Sequence, residues 1–370
     1  MGNGGNEMSY PEWEDMKDSL LRGNHVPMIE SDMPTFMGQP YATSPEELRG
    51  ADFVIIGAPY VASWGKYSGV DKMEWAASPK RVRQQSVKYA LGYFQDFDLD
   101  LWEHIRLVDY GDADIPREVF DKPTADLILK SQRAVEAKVN DVLDAGAIPV
   151  VLGQNSPCGS YAIAKPIAER TKGNVGVVSL DAHWDIEPLD GLTLDPRIAG
   201  SGSWKAKMYE FHGNLLQKNL VEIGERGVIG GKGEKQIFVW GGSMKQVRMF
   251  LEKGTHFYPM WKVRQKGLDW LCEELRHAYD GTAAVYAHFD MDVLGGAGPA
   301  SGDLMGTLAE PIGMTDYEII RLSHEIGKRG LNGLSFICIP PGSPIIYRTV
   351  VYVILYMIAG RILAKRQDRS

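Results

Sequence analysis

The feature that most constrains this chain is an alternation of short apolar runs with amphipathic stretches, sustained from about residue 50 almost to the C-terminus. ADFVIIGAP (51–59), RLVDYGD (106–112), AIPVVLG (147–153), VGVVSLDAH (175–183), QIFVWG (236–241), AVYAHFDMD (284–292) and LNGLSFICIP (331–340) are such runs. Most are rich in β-branched residues, which suits strands buried on both faces. In segment 123–145, Ala125, Leu127, Ile128, Ala134, Val135, Val139, Val142 and Leu143 recur at helical spacing, and Gly146 ends the helix. Further helices are predicted over 160–171 (despite Pro166), in MKQVRMFLEKG, over 268–280 and in DYEIIRLSHEIGKRG. Strand–helix alternation of this extent predicts a three-layer α/β/α fold around a mostly parallel central sheet. No linker or composition shift divides it, so residues 51–370 are expected to form one α/β domain. A Pro-punctuated, extended lead-in over residues 1–50 precedes it.

Composition narrows the classes of function. With 44% hydrophobic and 24% charged residues the chain is neither disordered nor fibrous. A net charge of -8 argues against nucleic acid or an anionic membrane as partner. Cys158, Cys272 and Cys338 are odd in number and widely spaced, which suits a reducing, cytoplasmic compartment and not a disulfide framework. The start, MGNGGNEMSYPEWEDM, lacks the basic and apolar regions of a signal peptide. The uncharged run from Thr349 to Gly360 is too short for roughly 30 Å of hydrocarbon, so a buried helix is expected there and no membrane partner.

Open α/β sheets bind ligands outside the carboxyl ends of their strands. Two predicted strands end in acids there: SLDAHWDIEP carries Asp181, His183 and Asp185, and AHFDMDVL carries Asp290 and Asp292. Residues two apart on an extended chain point the same way, so each strand is expected to aim its acids and imidazole into one cleft. Clustered carboxylates repel one another, and divalent cations relieve that conflict. Oxygen-rich ligation with one imidazole suits Mn, Ni, Co or Fe better than a structural zinc. A single Asp-x-Asp is commonly a solvated turn; the pairing with Asp-x-His-x-Asp is what makes the pattern specific.

DAHWD followed by FDMDVL resembles the ureohydrolase superfamily, which includes arginase and agmatinase. GAPYVASWGKYSGV, SPKRVRQQS (78–86), VDYGD, VEIGERG (221–227) and AEPIGMT (309–315) match further elements of that family. The resemblance implies an arginase-like fold and a binuclear Mn or Ni centre. It implies that Asp181 and Asp290 bridge the metals, that His183 and Asp292 complete one ligand set, and that Asp185 serves the other metal. The chain also departs from the pattern. By the resemblance, the other metal's histidine is Ser156 here, a proton-shuttling histidine is Ser201 in GSGSW, and a substrate-pairing glutamate is Cys338. The following Asp-Pro is Gly295-Gly296. His288 and Cys158 are the residues nearest to compensating for the lost imidazole, although a buried, hydrogen-bonded role suits His288 better. Trp184 either walls a substrate pocket or packs beneath it. His25, His104, His212, His256, His277 and His324 lie in no motif.

The tail PPGSPIIYRTVVYVILYMIAG (340–360) offers no acid for an amino-acid headgroup, and it resembles the guanidine and biguanide branch of the superfamily. Metformin hydrolases of that branch combine two related chains, one with a degraded metal site. The resemblance therefore implies the supporting chain of a metformin hydrolase, partnered by a related catalytic ureohydrolase chain in a hetero-hexamer or other trimer-based oligomer. The alternative is a self-sufficient binuclear hydrolase of guanidine or a substituted guanidine.

Overall fold

The computed structural model describes residues 26–61, 71–189, 193–226, 242–295 and 310–367, with Trp13 and Lys17. Six of the apolar runs, with two further strands at Leu215–Ile223 and His256–Tyr258, form one sheet: β1 (Phe53–Ala58), β2 (Leu107–Asp112), β3 (Ile148–Gly153), β4 (Asn174–Leu180), β5 (Leu215–Ile223), β6 (His256–Tyr258), β7 (Thr282–Asp290) and β8 (Gly333–Ile337). Their order is β6-β5-β4-β7-β8-β3-β1-β2, and all of these pairings are parallel. The predicted strand at 236–241 lies outside the described residues.

β1, β3 and β8 are buried along their whole length, as strands covered on both faces must be. Helices α1 (Ser78–Ser86), α2 (Ala125–Asp144), α3 (Ala162–Arg170), α4 (Trp204–Phe211), α5 (Met244–Glu252), α6 (Asp316–Arg329) and α7 (Pro344–Gln367) supply most of the cover. Thr124 caps α2, accepting a bond from the Leu127 N–H, and Ser243 and Thr315 open α5 and α6 with full capping boxes. The predicted helix over 268–280 is α-helical only for Leu268–Glu274 and continues as a 3₁₀ turn, Leu275–Ala278.

The tail forms a longer helix than its uncharged run predicts. α7 has 24 residues and takes in Arg348 and Arg361, because the run's ends carry no helix breaker. By length and composition α7 is able to cross a membrane, yet 72% of its most apolar stretch is buried inside the protein. It crosses α6 closely: a Cβ on Gly360 would stand 2.2 Å from the His324 carbonyl oxygen, and one on Gly327 would stand 2.0 Å from that of Met357.

The described part of the lead-in is more than extended. A short antiparallel pair, Met28–Glu30 with Met33–Pro34, leads into Phe36 and Met37, both in the main core. The Phe36 N–H donates to the Asp109 carboxylate at 2.8 Å. The same carboxylate receives Arg83 of α1 through Nε at 2.8 Å and Nη2 at 3.0 Å, while Arg83 Nη1 reaches Asp112 at 2.6 Å.

Candidate metal centre

Strands β3, β8, β7 and β4 are consecutive neighbours, and their registers bring their carboxyl ends into one row. Phe289 of β7 stands opposite Leu180 of β4, which levels Asp290 with Asp181. Asp290 stands opposite Ile337 of β8, which brings up Cys338. Phe336 of β8 stands opposite Leu152 of β3, and the turn carrying Ser156 follows Gly153.

The two-residue alternation of an extended strand is not what aligns the acids. β4 stops at Leu180 and β7 at Asp290, and the acids beyond those points sit in turns. Asp181 accepts the His183 N–H at 2.7 Å, and Asp290 accepts the Asp292 N–H at 2.9 Å. An aspartate that bonds the backbone two residues on curls the chain where no neighbouring strand holds it. The Asp292 carboxylate then accepts the Ala182 N–H at 3.0 Å, tying the two turns together. Asp185 has φ +50, a conformation rare for a non-glycine residue, and its carboxylate accepts the Trp204 indole N–H at 3.1 Å.

The result brings together Asp181, His183, Asp185, Asp290, Asp292 and Cys338 in overlapping groups whose ligand atoms lie within 4.8 Å of one another. His183 Nδ1 is 3.0 Å from Asp292 Oδ2, and Cys338 Sγ donates to Asp290 Oδ2 at 2.8 Å. Five of these residues are buried, and His183 is partly exposed.

Sequence reasoning missed a second set of charges beneath the first. Lys205, in the first turn of α4, is wholly buried. Its ammonium lies 3.1 Å from Asp181 Oδ2, 3.0 Å from the Glu222 carboxylate and 3.2 Å from the His183 carbonyl oxygen. Glu225 is buried beside Glu222, and burial and that neighbour together push its carboxyl well above the usual range. The available signal was two glutamates in VEIGERG, a stretch otherwise fit for a strand buried on both faces. Arg226 was also missed. Its guanidinium donates to the carbonyl oxygens of Gly224, Asp292, Val293, Leu294, Glu310 and Pro311, so it holds the loop behind Asp292.

Burial dominates the electrostatics of this cluster. It pushes the Asp181 carboxyl up to about 6 against the pull of Lys205, and it drives Asp185 and Asp290 well above the usual carboxylate range. His183 goes the other way: burial opposes its charge, but the Asp292 carboxylate prevails and its pKa rises to about 9. Lys205 likewise resists burial because Asp181 and Glu222 hold its proton.

The donors fit one divalent cation better than two. One group joins His183 to Asp181 and Asp292 and offers one imidazole and two carboxylates to a first ion. For a second ion Asp185 remains, with shares of Asp181 and Asp290. Ser156, in the turn after β3, offers only a neutral hydroxyl, whose buried oxygen has no hydrogen-bond partner among the described residues, and the Lys205 ammonium already faces Asp181.

The remaining predicted residues separate. Trp184 walls a cavity of about 340 Å³ that begins at His183 and is lined mainly by apolar side chains, among them Met244, Phe257 and Trp261. Its indole packs on Phe257 with centroids 4.6 Å apart. Ser201 is half-buried in the turn before α4, and no described hydrogen bond ties it to the cluster. His288 is buried below Asp290, its Nδ1 3.2 Å from the Ser335 hydroxyl and its ring against Trp204. Cys158 is buried and belongs to none of the metal-type groups among the described residues. His212 meets Tyr161, His256 stacks on His277, and His324 stacks on Phe97, all away from the cluster. His104 bonds Arg366, and His25 lies outside the described residues.

The sequence profile of the arginase family matches residues 51–345. The formimidoylglutamase of Halalkalibacterium halodurans is 26% identical over 323 residues, spanning 84% of this chain and 87% of that protein. The agmatinase of Chromobacterium violaceum is 23% identical over 337 residues, 90% of this chain and 89% of that one. Among solved structures, formimidoylglutamase from Bacillus subtilis superposes with a TM-score of 0.69 at 22% identity, covering 95% of this chain and 99% of its own. Trypanosoma cruzi formiminoglutamase, solved with Mn2+, gives 0.64 at 22% identity, covering 90% of this chain and 99% of its own.

Proposed function

The chain belongs to the arginase family, a family of C–N hydrolases, and from that premise we propose that it is the supporting subunit of a hetero-oligomeric amidino hydrolase. The substrate is a guanidine or biguanide, metformin foremost: N,N-dimethylbiguanide and water give guanylurea and dimethylamine. A related catalytic chain carries the complete nickel or manganese site, in a hetero-hexamer or other trimer-based assembly in the cytoplasm.

One observation carries this reading. Asp181, the carboxylate expected from the resemblance to bridge two ions, faces the Lys205 ammonium at 3.1 Å, and Ser156 stands where the resemblance expects an imidazole. A divalent ion placed there would meet a buried like charge, which costs several kcal/mol unless one of the two leaves. A metal pair, where bound, would supply hydroxide near neutral pH and offset the negative charge on the attacking oxygen; this chain is poorly built to hold such a pair. The absence of an acid at Cys338 and in the apolar tail supports a small amidine substrate without an amino-acid headgroup.

The test is dimethylamine release from metformin, and ammonia or urea release from guanidine, by the purified chain loaded with nickel or manganese. The same assay is run on the chain co-expressed with a related ureohydrolase chain. Silence alone and turnover in the mixture are expected. Turnover by the chain alone, at a rate comparable to the mixture, overturns the supporting role in favour of a self-sufficient hydrolase.

A further inference from the structure

We propose that the cavity beside His183 holds the apolar substituent of an N-substituted guanidinium or related amidinium, an aromatic ring in preference to small alkyl groups, with the cationic head turned to the acidic cluster. This ligand class rests on reading the chain as part of an amidino hydrolase, and on no partner chain.

The cavity lies to one side of the metal-type groups, at the carboxyl ends of β4, β5 and β6. β4 leads into His183 and Trp184, β5 into Glu225 and Arg226, β6 carries Phe257, and α5 adds Val247. Trp184 is 5% and Val247 2% exposed, so the inner wall belongs to the packed interior. At about 340 Å³ the space is of the size that encloses a small organic ligand, and a guanidinium or a pair of methyl groups fills only part of it. Trp184 and Phe257 meet at a tilt of 45°, an arrangement that presents ring faces and edges to a further ring.

A second observation comes from the mouth. Leu251, Trp261 and Ile312 line the same cavity and are 38%, 70% and 58% exposed. They belong to α5, to the helix Met260–Lys266 and to the turn before α6, so the fold gathers them from three separate parts of the chain. Single exposed apolar side chains are ordinary, but several around one opening mark a binding surface.

The polar end sets the charge of the ligand. Six acids, Asp181, Asp185, Glu222, Glu225, Asp290 and Asp292, stand there against three bases, His183, Lys205 and Arg226. Each base is already engaged: His183 with Asp292, Lys205 with Asp181 and Glu222, and Arg226 with backbone carbonyl oxygens. An organic anion is repelled from such an end and an organic cation is drawn to it. The indole faces of Trp184 and Trp261 favour the same sign of charge. A ring removes more apolar surface from water than two methyl groups do, so affinity should rise in the order guanidinium, N,N-dimethylguanidinium, benzylguanidinium.

The test is isothermal titration calorimetry of the full chain with these three cations, and with benzyl alcohol, which keeps the ring and lacks the charge. Benzylguanidinium is expected to bind about 10-fold or more tightly than either N,N-dimethylguanidinium or benzyl alcohol. Trp261→Ala, at an exposed position, should weaken benzylguanidinium by about 3-fold or more and leave guanidinium within about 2-fold. Val247→Phe, which fills the cavity from its inner wall, should weaken benzylguanidinium as well. No binding of benzylguanidinium at millimolar concentration, equal affinity for the three cations, equal affinity for benzyl alcohol, or an unchanged affinity in both variants each overturns the assignment. Turnover in the mixture decides the supporting role separately: it stands if the ring preference is missing, and it falls on silence in the mixture even where the preference is found.

Discussion

The Lys205 ammonium and the Asp181 carboxylate face one another 3.1 Å apart, both residues fully buried, at the carboxyl end of β4. Lys205 sits at the start of α4 and reaches the strand ends from below, so it contacts Asp181 without closing the opening at His183. The pair makes the second pole of the site a built-in ion pair.

Placing an imidazole at Ser156 is therefore not enough to hold a second ion. Ser156→His alone is expected to leave metal content near one ion per chain, because the ammonium remains. Ser156→His combined with Lys205→Met is expected to raise it towards two, measured by elemental analysis after dialysis. Lys205→Met alone leaves Glu222 and Asp181 uncompensated and should cost about 3–5 kcal/mol of stability. Excess Ni2+ or Mn2+ should recover part of that loss in thermal melts, because an ion then supplies the missing charge.

Arg226 acts on the site through Asp292. Its guanidinium spans carbonyl groups on three loops, those of Gly224, of Asp292–Leu294 and of Glu310–Pro311. Lysine offers three donors from one atom and cannot reproduce that span. Arg226→Lys is expected to weaken divalent binding by about 10–100-fold, the range for residues that orient metal ligands. Equilibrium dialysis reads the affinity, and circular dichroism should show the fold retained.

Most of the fold and the acid half of the site were legible in the sequence, because a parallel sheet writes itself as apolar runs and places its ligand groups at their carboxyl ends. Asp181, His183, Asp185, Asp290 and Asp292 needed only that rule and the family's motifs. Lys205, Glu222 and Glu225 were not legible. A lysine in a helix's first turn reads as solvated, and only the register of β4, β5 and β7 shows that this one turns inward. The length of α7 was underestimated because its apolar run was bounded at Arg348 and Arg361, which the helix simply includes. That Trp184 shares a cavity with Phe257, far away in sequence, depends on the fold and not on any local motif.

Acid should destabilise the chain through its half-buried histidines. Burial lowers the His324 pKa below the ordinary value of 6.5, helped by Arg321 and Lys328 and opposed by Glu325; burial also lowers those of His212 and His256. At these three side chains the unfolded chain binds protons that the folded chain refuses, so their contribution to stability falls as pH drops below about 6.5, towards the folded-state values. Asp181, Asp185 and Asp290, whose carboxyls burial raises, act in the opposite direction, so the histidine share is read as the difference in slope between wild type and a histidine variant in thermal melts between pH 8 and pH 5.5. His324→Phe, which keeps the stacking on Phe97, should flatten part of that slope.

Arg83 gives a stability test separate from the metal centre. It is wholly buried, forks onto Asp109 through Nε and Nη2 and onto Asp112 through Nη1, and so fastens α1 to the end of β2. Asp109 also accepts the Phe36 N–H, which draws the lead-in to the same point. Burial disfavours the guanidinium charge, but the two aspartates outweigh it and hold the group protonated at any working pH. Arg83→Met removes the cation and leaves the fully buried Asp109 unpaired, a loss of about 3–5 kcal/mol for a broken buried pair. Arg83→Met with Asp109→Asn should recover part of it, because the neutral amide keeps a carbonyl acceptor for the Phe36 N–H. Denaturant unfolding measures both variants. Metal affinity should stay unchanged in each, since Arg83 touches none of the cluster's residues; a fall in affinity would mean that α1 and the strand ends move as one unit.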